Sequence, residues 1–172
     1  DLTVGEYVNI EPAWSPDGQR LAYISTAPNG FFNVFVMALV GGKPGAIVQV
    51  TTDHTFGRNR LYFGDNDLHI SPSWSPDGRE IAGSTPEGLH LIFPTDGVGR
   101  ARPIEGAVPE DFLVQWSADG KSILVRGGEE QPLTLYRIEL GTGRRERWRE
   151  LAPPDLAGFY EYIYEGRGGL RV

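Results

Sequence analysis

Trp14-Ser15-Pro16-Asp17-Gly18 returns as Trp74-Ser75-Pro76-Asp77-Gly78 and again as Trp116-Ser117-Ala118-Asp119-Gly120. Ser-Pro-Asp-Gly is the chemistry of a tight turn: proline presets φ, the aspartate side chain bonds nearby amides, and glycine accepts positive φ. An apolar run follows each copy, Leu21 to Ile24, Ile81 to Gly83 and Ile123 to Val125. Each copy therefore reads as a hairpin. The tryptophan ends the first strand of that hairpin with a large rigid surface, available to a neighbouring unit.

The tryptophans are 60 and then 42 residues apart. The second spacing is that of one β-propeller blade, about 40 to 45 residues for four strands. In that register the first unit has strands near 7–14, 20–26, 33–39 and 47–52. The second has them near 68–74, 79–84, 89–94 and 101–104, and the third near 111–116, 122–126, 133–140 and 145–151. Alternation is clearest in Leu133-Thr134-Leu135-Tyr136-Arg137-Ile138-Glu139-Leu140. The expected fold class is all-β, a propeller of four-stranded antiparallel blades, with three full blades and a partial fourth.

As a single propeller unit, the chain divides into blade 1 at about 7–52, an inter-blade insertion at 53–67, blade 2 at about 68–106 and blade 3 at about 111–152. The partial blade spans 159–172, and residues 1–4 could complete it. The long insertion joins an outer strand to the next inner strand, and long loops in compact domains are often functional. Within its reach Asp65, Asp67 and His69 alternate toward an inner strand, so their side chains could meet in the axial channel. They are the candidate ligand-binding or channel-lining residues. Asp17, Asp77 and Asp119 read as turn formers, and with Trp14, Gly18, Trp74, Gly78, Trp116 and Gly120 they make up the structural repeat.

Composition narrows the function. The formal net charge is −7, which disfavours nucleic acid, because phosphate binding needs a basic face. Only Lys43 and Lys121 of the 16 basic residues are lysine, a bias without functional weight. There is no cysteine, so disulfides, thiolate metal sites and cysteine nucleophiles are excluded. No run approaches the ~18 apolar residues of a membrane helix, and the N-terminus does not read as a signal peptide. Membrane insertion is not expected. The run Arg144-Arg145-Glu146-Arg147-Trp148-Arg149 reads as charge that blunts an exposed outer strand.

The Pro-x-Trp-Ser-Pro-Asp-Gly turn, with a strand ending at Gly41-Gly42, resembles the WD40-like repeat of TolB-type β-propellers. Between Glu11 and Gly78, including Arg58 to Asp65, the chain is similar to propellers that accompany bacterial amidohydrolases and prolyl-oligopeptidase-type peptidases. From Leu135 to Gly158 it is more similar to propellers attached to bacterial serine/threonine kinases. This double resemblance raises the idea of a recombined or engineered chain. A periplasmic or other extracytoplasmic location is implied by the resemblance alone. The resemblance implies about six to eight blades, so a count of three and a part makes assembly the open question: a small closed ring of four blades, two chains whose arcs join into one ring, or a fragment of a larger protein.

Catalytic patterns are missing. A Gly-x-Ser-x-Gly elbow does not occur, and the three histidines, His54, His69 and His90, form no His-x-His pair. The expectation is a non-enzyme without cofactor or metal, a scaffold for another protein or for a second copy that completes the ring. The alternatives are an accessory propeller of a larger hydrolase or kinase, where the resemblance implies gating of the active site, and a chain built to test blade assembly.

Overall fold

In the computed structural model residues 7–26, 28, 33–52, 72–84, 90–128 and 132–151 are described, and all regular structure among them is β. Blade 1 comprises β1 (Asn9–Trp14), β2 (Arg20–Ser25), β3 (Asn33–Val40) and β4 (Lys43–Gln49). β5 (Ser73–Trp74), β6 (Glu80–Ser84), β7 (His90–Pro94) and β8 (Arg102–Pro103) form blade 2. β9 (Asp111–Trp116), β10 (Ser122–Gly127), β11 (Leu133–Glu139) and β12 (Arg145–Leu151) form blade 3. Each sheet is a four-stranded antiparallel meander in chain order. The insertion at 53–67, with Asp65 and Asp67, His69, the segment 159–172 and residues 1–4 all lie outside the described residues.

The Trp-Ser-Pro-Asp-Gly segments fold alike because their side chains replace missing ladder bonds. In blade 1 the Gly18 amide donates to the Ser15 carbonyl at 2.9 Å, and Gly18 sits at φ 67°. The Ser15 hydroxyl donates to Asp17 Oδ1, which also accepts the Gln19 amide at 3.0 Å, while Ser15 Oγ accepts the Arg20 amide at 2.9 Å. Blades 2 and 3 repeat the set through Ser75 and Asp77, and through Ser117 and Asp119. Replacement of proline by Ala118 leaves the turn intact, since the hydrogen bonds run through serine and aspartate.

One strand starts earlier than its pattern suggests. β4 begins at Lys43 rather than near 47, because Gly41 and Gly42 both take positive φ, 59° and 75°. That pair makes a two-residue turn whose twist matches the strands, with Val40 opposite Lys43. Apolar alternation is weak in Lys43-Pro44-Gly45-Ala46, so pattern alone does not extend the strand this far.

Two of the three core clusters lie between sheets, and the third gathers Tyr23, Phe35 and Met37 of blade 1. Ala22, Ile24, Val34 and Val36 of blade 1 bury against Trp74 and Ile81 of blade 2. Ala82, Ile92 and Ile104 of blade 2 bury against Trp116, Ile123, Val125 and Ile138 of blade 3. The first strands adjoin, β5 lying against both β1 and β9. Strand alternation supplies the reason: successive residues face opposite neighbours, so the central strands are apolar on both faces, with buried polar residues such as Ser25, Asn33, His90 and Ser122 at their ends.

Candidate functional site: the blade joints

Each joint is made by three features of one blade meeting the blade before it. First, the tryptophan indole crosses the gap: Trp74 Nε1 donates to the Ala13 carbonyl and Trp116 Nε1 to the Ser73 carbonyl, both at 3.0 Å. The acceptor is in both cases the residue that precedes the earlier tryptophan. Second, the turns stack, Gly78 lying over Pro16 and the Arg20 guanidinium, and Gly120 over Pro76. Third, the turn between the third and fourth strands reaches back to the outer edge of the previous blade. Gly97 meets the Gln49 carbonyl, and Gly143 meets Glu105 and Gly106.

Arg20 ties the first joint. Its guanidinium lies 5.0 Å over the Trp74 ring, 3.5 Å from Asp17 and 3.4 Å from the Thr95 hydroxyl. Beside it runs a shallow cleft between the turns of blades 1 and 2, lined by Arg20, Asp77, Glu80, Pro94, Thr95 and Asp96. With Arg79 also on its lining, three carboxylates and two guanidinium groups make it a polar recess, suited to hydrogen bonding. Among the described residues no group of three or more His, Asp or Glu side chains gathers to hold a metal.

The turn aspartates are held as anions. Asp17, Asp77 and Asp119 each have a carboxyl pKa below the ordinary aspartate value, first because Ser15, Ser75 or Ser117 donates a hydroxyl hydrogen bond. The amide two residues on adds to the effect. Among the candidate ligand-binding residues, Asp65, Asp67 and His69 lie outside the described residues, so no geometry bears on them.

The basic run on β12 is not uniformly a charged edge. Arg147 and Arg149 are exposed, but Arg145 turns inward and pairs with Asp111 at 2.5 and 2.8 Å, stacking 3.9 Å from the Tyr136 ring on the way. Asp111 is buried and accepts the Val108 amide at 2.9 Å as well. The pair links the first and last strands of blade 3. Gly127 is obligatory beneath it, because a Cβ there would lie 2.6 Å from the Tyr136 ring. Neither partner stands out in the sequence, since 34 residues separate them and each sits in an ordinary strand start.

Four-stranded antiparallel sheets stacked face to face through repeated indole-to-carbonyl joints are the architecture of a β-propeller. Among solved structures the chain is similar to TolB from Acinetobacter baumannii, at 19% identity and a TM-score of 0.60, covering 85% of this chain and 33% of that one. It is also similar to an oligogalacturonate lyase in complex with manganese, at 15% identity and a TM-score of 0.52, covering 82% and 39%. The fold is accordingly that of the TolB-type propellers.

No family model matches the chain. Two curated relatives do. One is named an uncharacterized peptidase, YuxL of Bacillus subtilis, 33% identical over 157 residues, covering 81% of this chain and 20% of the relative. The other is dipeptidyl-peptidase 5 of Porphyromonas gingivalis, 27% identical over 140 residues, covering 77% and 19%. The chain spans about a fifth of the length of these relatives. They overturn the expectation of a non-enzyme, because the proteins that this chain matches are named peptidases. That expectation rested on missing catalytic motifs, and a stretch that matches one fifth of the relatives does not speak for their other four fifths.

Proposed function

We propose that this chain is the propeller portion of a peptidase, forming the rigid disc that stands beside a catalytic domain and limits which peptides reach it. The match to two named peptidases over about four fifths of this chain carries the reading. Rigidity suits the role. Joints filled by buried indoles and stacked turns resist the shear that would open the disc, and a polar turn-bearing face can line a path for peptide without trapping it. The serine-protease motif missing from these 172 residues is then supplied elsewhere in the polypeptide.

The test uses the gene in its genomic setting. The open reading frame around this segment should encode a hydrolase domain, and its full product should cleave short peptide anilides. Substituting Trp74→Ala in that product should change the preference between short and long peptides more than the rate on the shortest. A full reading frame without a hydrolase domain, or a full product inert toward peptides, would overturn the proposal.

A further inference from the structure

Aspartate followed by glycine is open to a spontaneous rearrangement, because glycine puts no side chain in the way when its amide nitrogen turns on the preceding carboxyl. The chain has four such pairs: Asp17-Gly18, Asp77-Gly78, Asp96-Gly97 and Asp119-Gly120. Their glycines share one backbone conformation, with φ of 67°, 68°, 70° and 69°. In each pair the amide two residues after the aspartate, that of Gln19, Arg79, Val98 or Lys121, donates to Oδ1 at 3.0 Å. The backbone is thus alike at all four sites, and the sites differ in how the two reacting groups are held.

The rearrangement needs the glycine nitrogen as nucleophile and a neutral carboxyl as electrophile. In the three repeat turns the glycine amide donates to the serine carbonyl at 2.9 Å, and the serine hydroxyl donates to the aspartate at 2.5 to 2.7 Å. That hydroxyl bond favours the anion, the unreactive form, and holds those carboxyls below the ordinary aspartate range. In the turn between β7 and β8 no hydroxyl plays this part. Thr95 Oγ1 faces the Gly78 and Arg79 carbonyls at 3.3 and 3.1 Å, and Asp96 Oδ1 gains only the Gly99 amide, at 3.5 Å. The Gly97 amide reaches the Pro94 carbonyl at 3.4 Å, close to the limit of a hydrogen bond, and both Asp96 and Gly97 are exposed to water.

We propose that Asp96 is a site of spontaneous isoaspartate formation, and that the repeat aspartates are protected from it by their serines. The Gly97 nitrogen bonds to Cγ of the neutral Asp96 carboxyl, whose hydroxyl leaves as water with the amide proton. Water then opens the five-membered imide. Cleavage at Cγ restores aspartate; cleavage at the main-chain carbonyl leaves the chain running through Cβ and Cγ, with that carbonyl now the free carboxylate. Mass is unchanged. The turn concerned presses on the outer edge of blade 1, where a Cβ on Gly97 would lie 2.8 Å from the Gln49 carbonyl and from the Val48 side chain. The rearranged chain carries one more backbone atom at that contact, so the modification loosens the first joint and displaces a carboxylate of the cleft beside it.

Ageing the folded chain at neutral pH, labelling it with an isoaspartyl methyltransferase and digesting it with trypsin tests this. Tryptic cleavage puts each Asp-Gly pair in a peptide of its own, and fragmentation locates the label. Label at Asp96 should exceed that at Asp17, Asp77 and Asp119 several-fold. It should vanish in Asp96→Glu, whose longer side chain would have to close a six-membered ring. Ser15→Ala should raise label at Asp17 several-fold, with circular dichroism showing that the fold is kept. In urea the four pairs should label alike, because only the fold distinguishes them. Equal label at the four sites of the folded chain, label that survives Asp96→Glu, or the folded ranking persisting in urea would each overturn the site. No rise at Asp17 in Ser15→Ala would overturn the protection by serine.

Discussion

Trp116 of blade 3 donates its indole N–H to the Ser73 carbonyl of blade 2 at 3.0 Å, and Trp74 makes the same bond to Ala13 one joint earlier. The bond matters because it fixes the register between two sheets that otherwise meet mainly through non-directional apolar contact. A slide of one sheet past the other would bury an unpaired indole N–H, a loss of about 1 to 3 kcal/mol.

Trp116→Ala should therefore destabilise the chain by about 3 to 5 kcal/mol, the usual range for removing a buried aromatic. Trp116→Phe should retain most of the apolar contact and lose the bond to Ser73. Urea titration followed by circular dichroism separates the two: Phe should fall between Ala and wild type. Equal loss from both would mean that the hydrogen bond dominates the joint.

The Arg145 and Asp111 pair makes a second prediction. Asp111 is buried and Arg145 is largely covered, so removing either one leaves a charge without its partner. Arg145→Ala or Asp111→Ala should cost about 3 to 5 kcal/mol, while Asp111→Leu with Arg145→Met should cost far less than the sum. Thermal melts of the two singles and the double form the cycle that checks it.

Glycine positions separate strained from ordinary sites. Gly106 has φ 87° and abuts the Gly143 carbonyl, so Gly106→Ala meets both backbone strain and a collision with main chain. A loss of at least about 1 to 3 kcal/mol is expected. Gly141 has open space around its Cβ position and no positive φ. Gly141→Ala should be neutral or stabilising by up to about 1 kcal/mol through the unfolded chain. Midpoints in urea at constant slope would show the contrast.

The turn aspartates set an acid-side limit. Because the folded carboxyls of Asp17, Asp77 and Asp119 titrate below their unfolded values, their contribution is complete above the ordinary aspartate range. It is lost as pH falls through the lower, folded values, in the region under about pH 4. Melting temperature should drop more steeply there for wild type than for Ser15→Ala, Ser75→Ala and Ser117→Ala combined, because the hydroxyl bond is the main cause of each shift. Parallel curves would mean that the serines do not hold the aspartates as anions.

Much of the fold was legible in the Trp-Ser-Pro-Asp-Gly copies, for a local reason. A turn is specified by residues adjacent in the chain, through Pro φ, the Asp acceptor and Gly at positive φ, so three copies declare three hairpins without tertiary information. Spacing between copies then carried the blade count. The Gly41-Gly42 turn was present in the letters as well, but the strand after it contains Pro44 and Gly45 and lacks alternation, so its start at Lys43 was not legible.

What only the tertiary structure decided is which equivalent residues do equivalent work. Trp14, Trp74 and Trp116 are indistinguishable as letters, yet two are buried joints and one is an exposed rim. Arg145 looked like one of several surface arginines and is an internal tie to Asp111. Burial and pairing depend on the neighbour that the fold brings alongside, often from tens of residues away. A turn motif determines its own hairpin; the sheet stacked against that hairpin determines what its tryptophan is for.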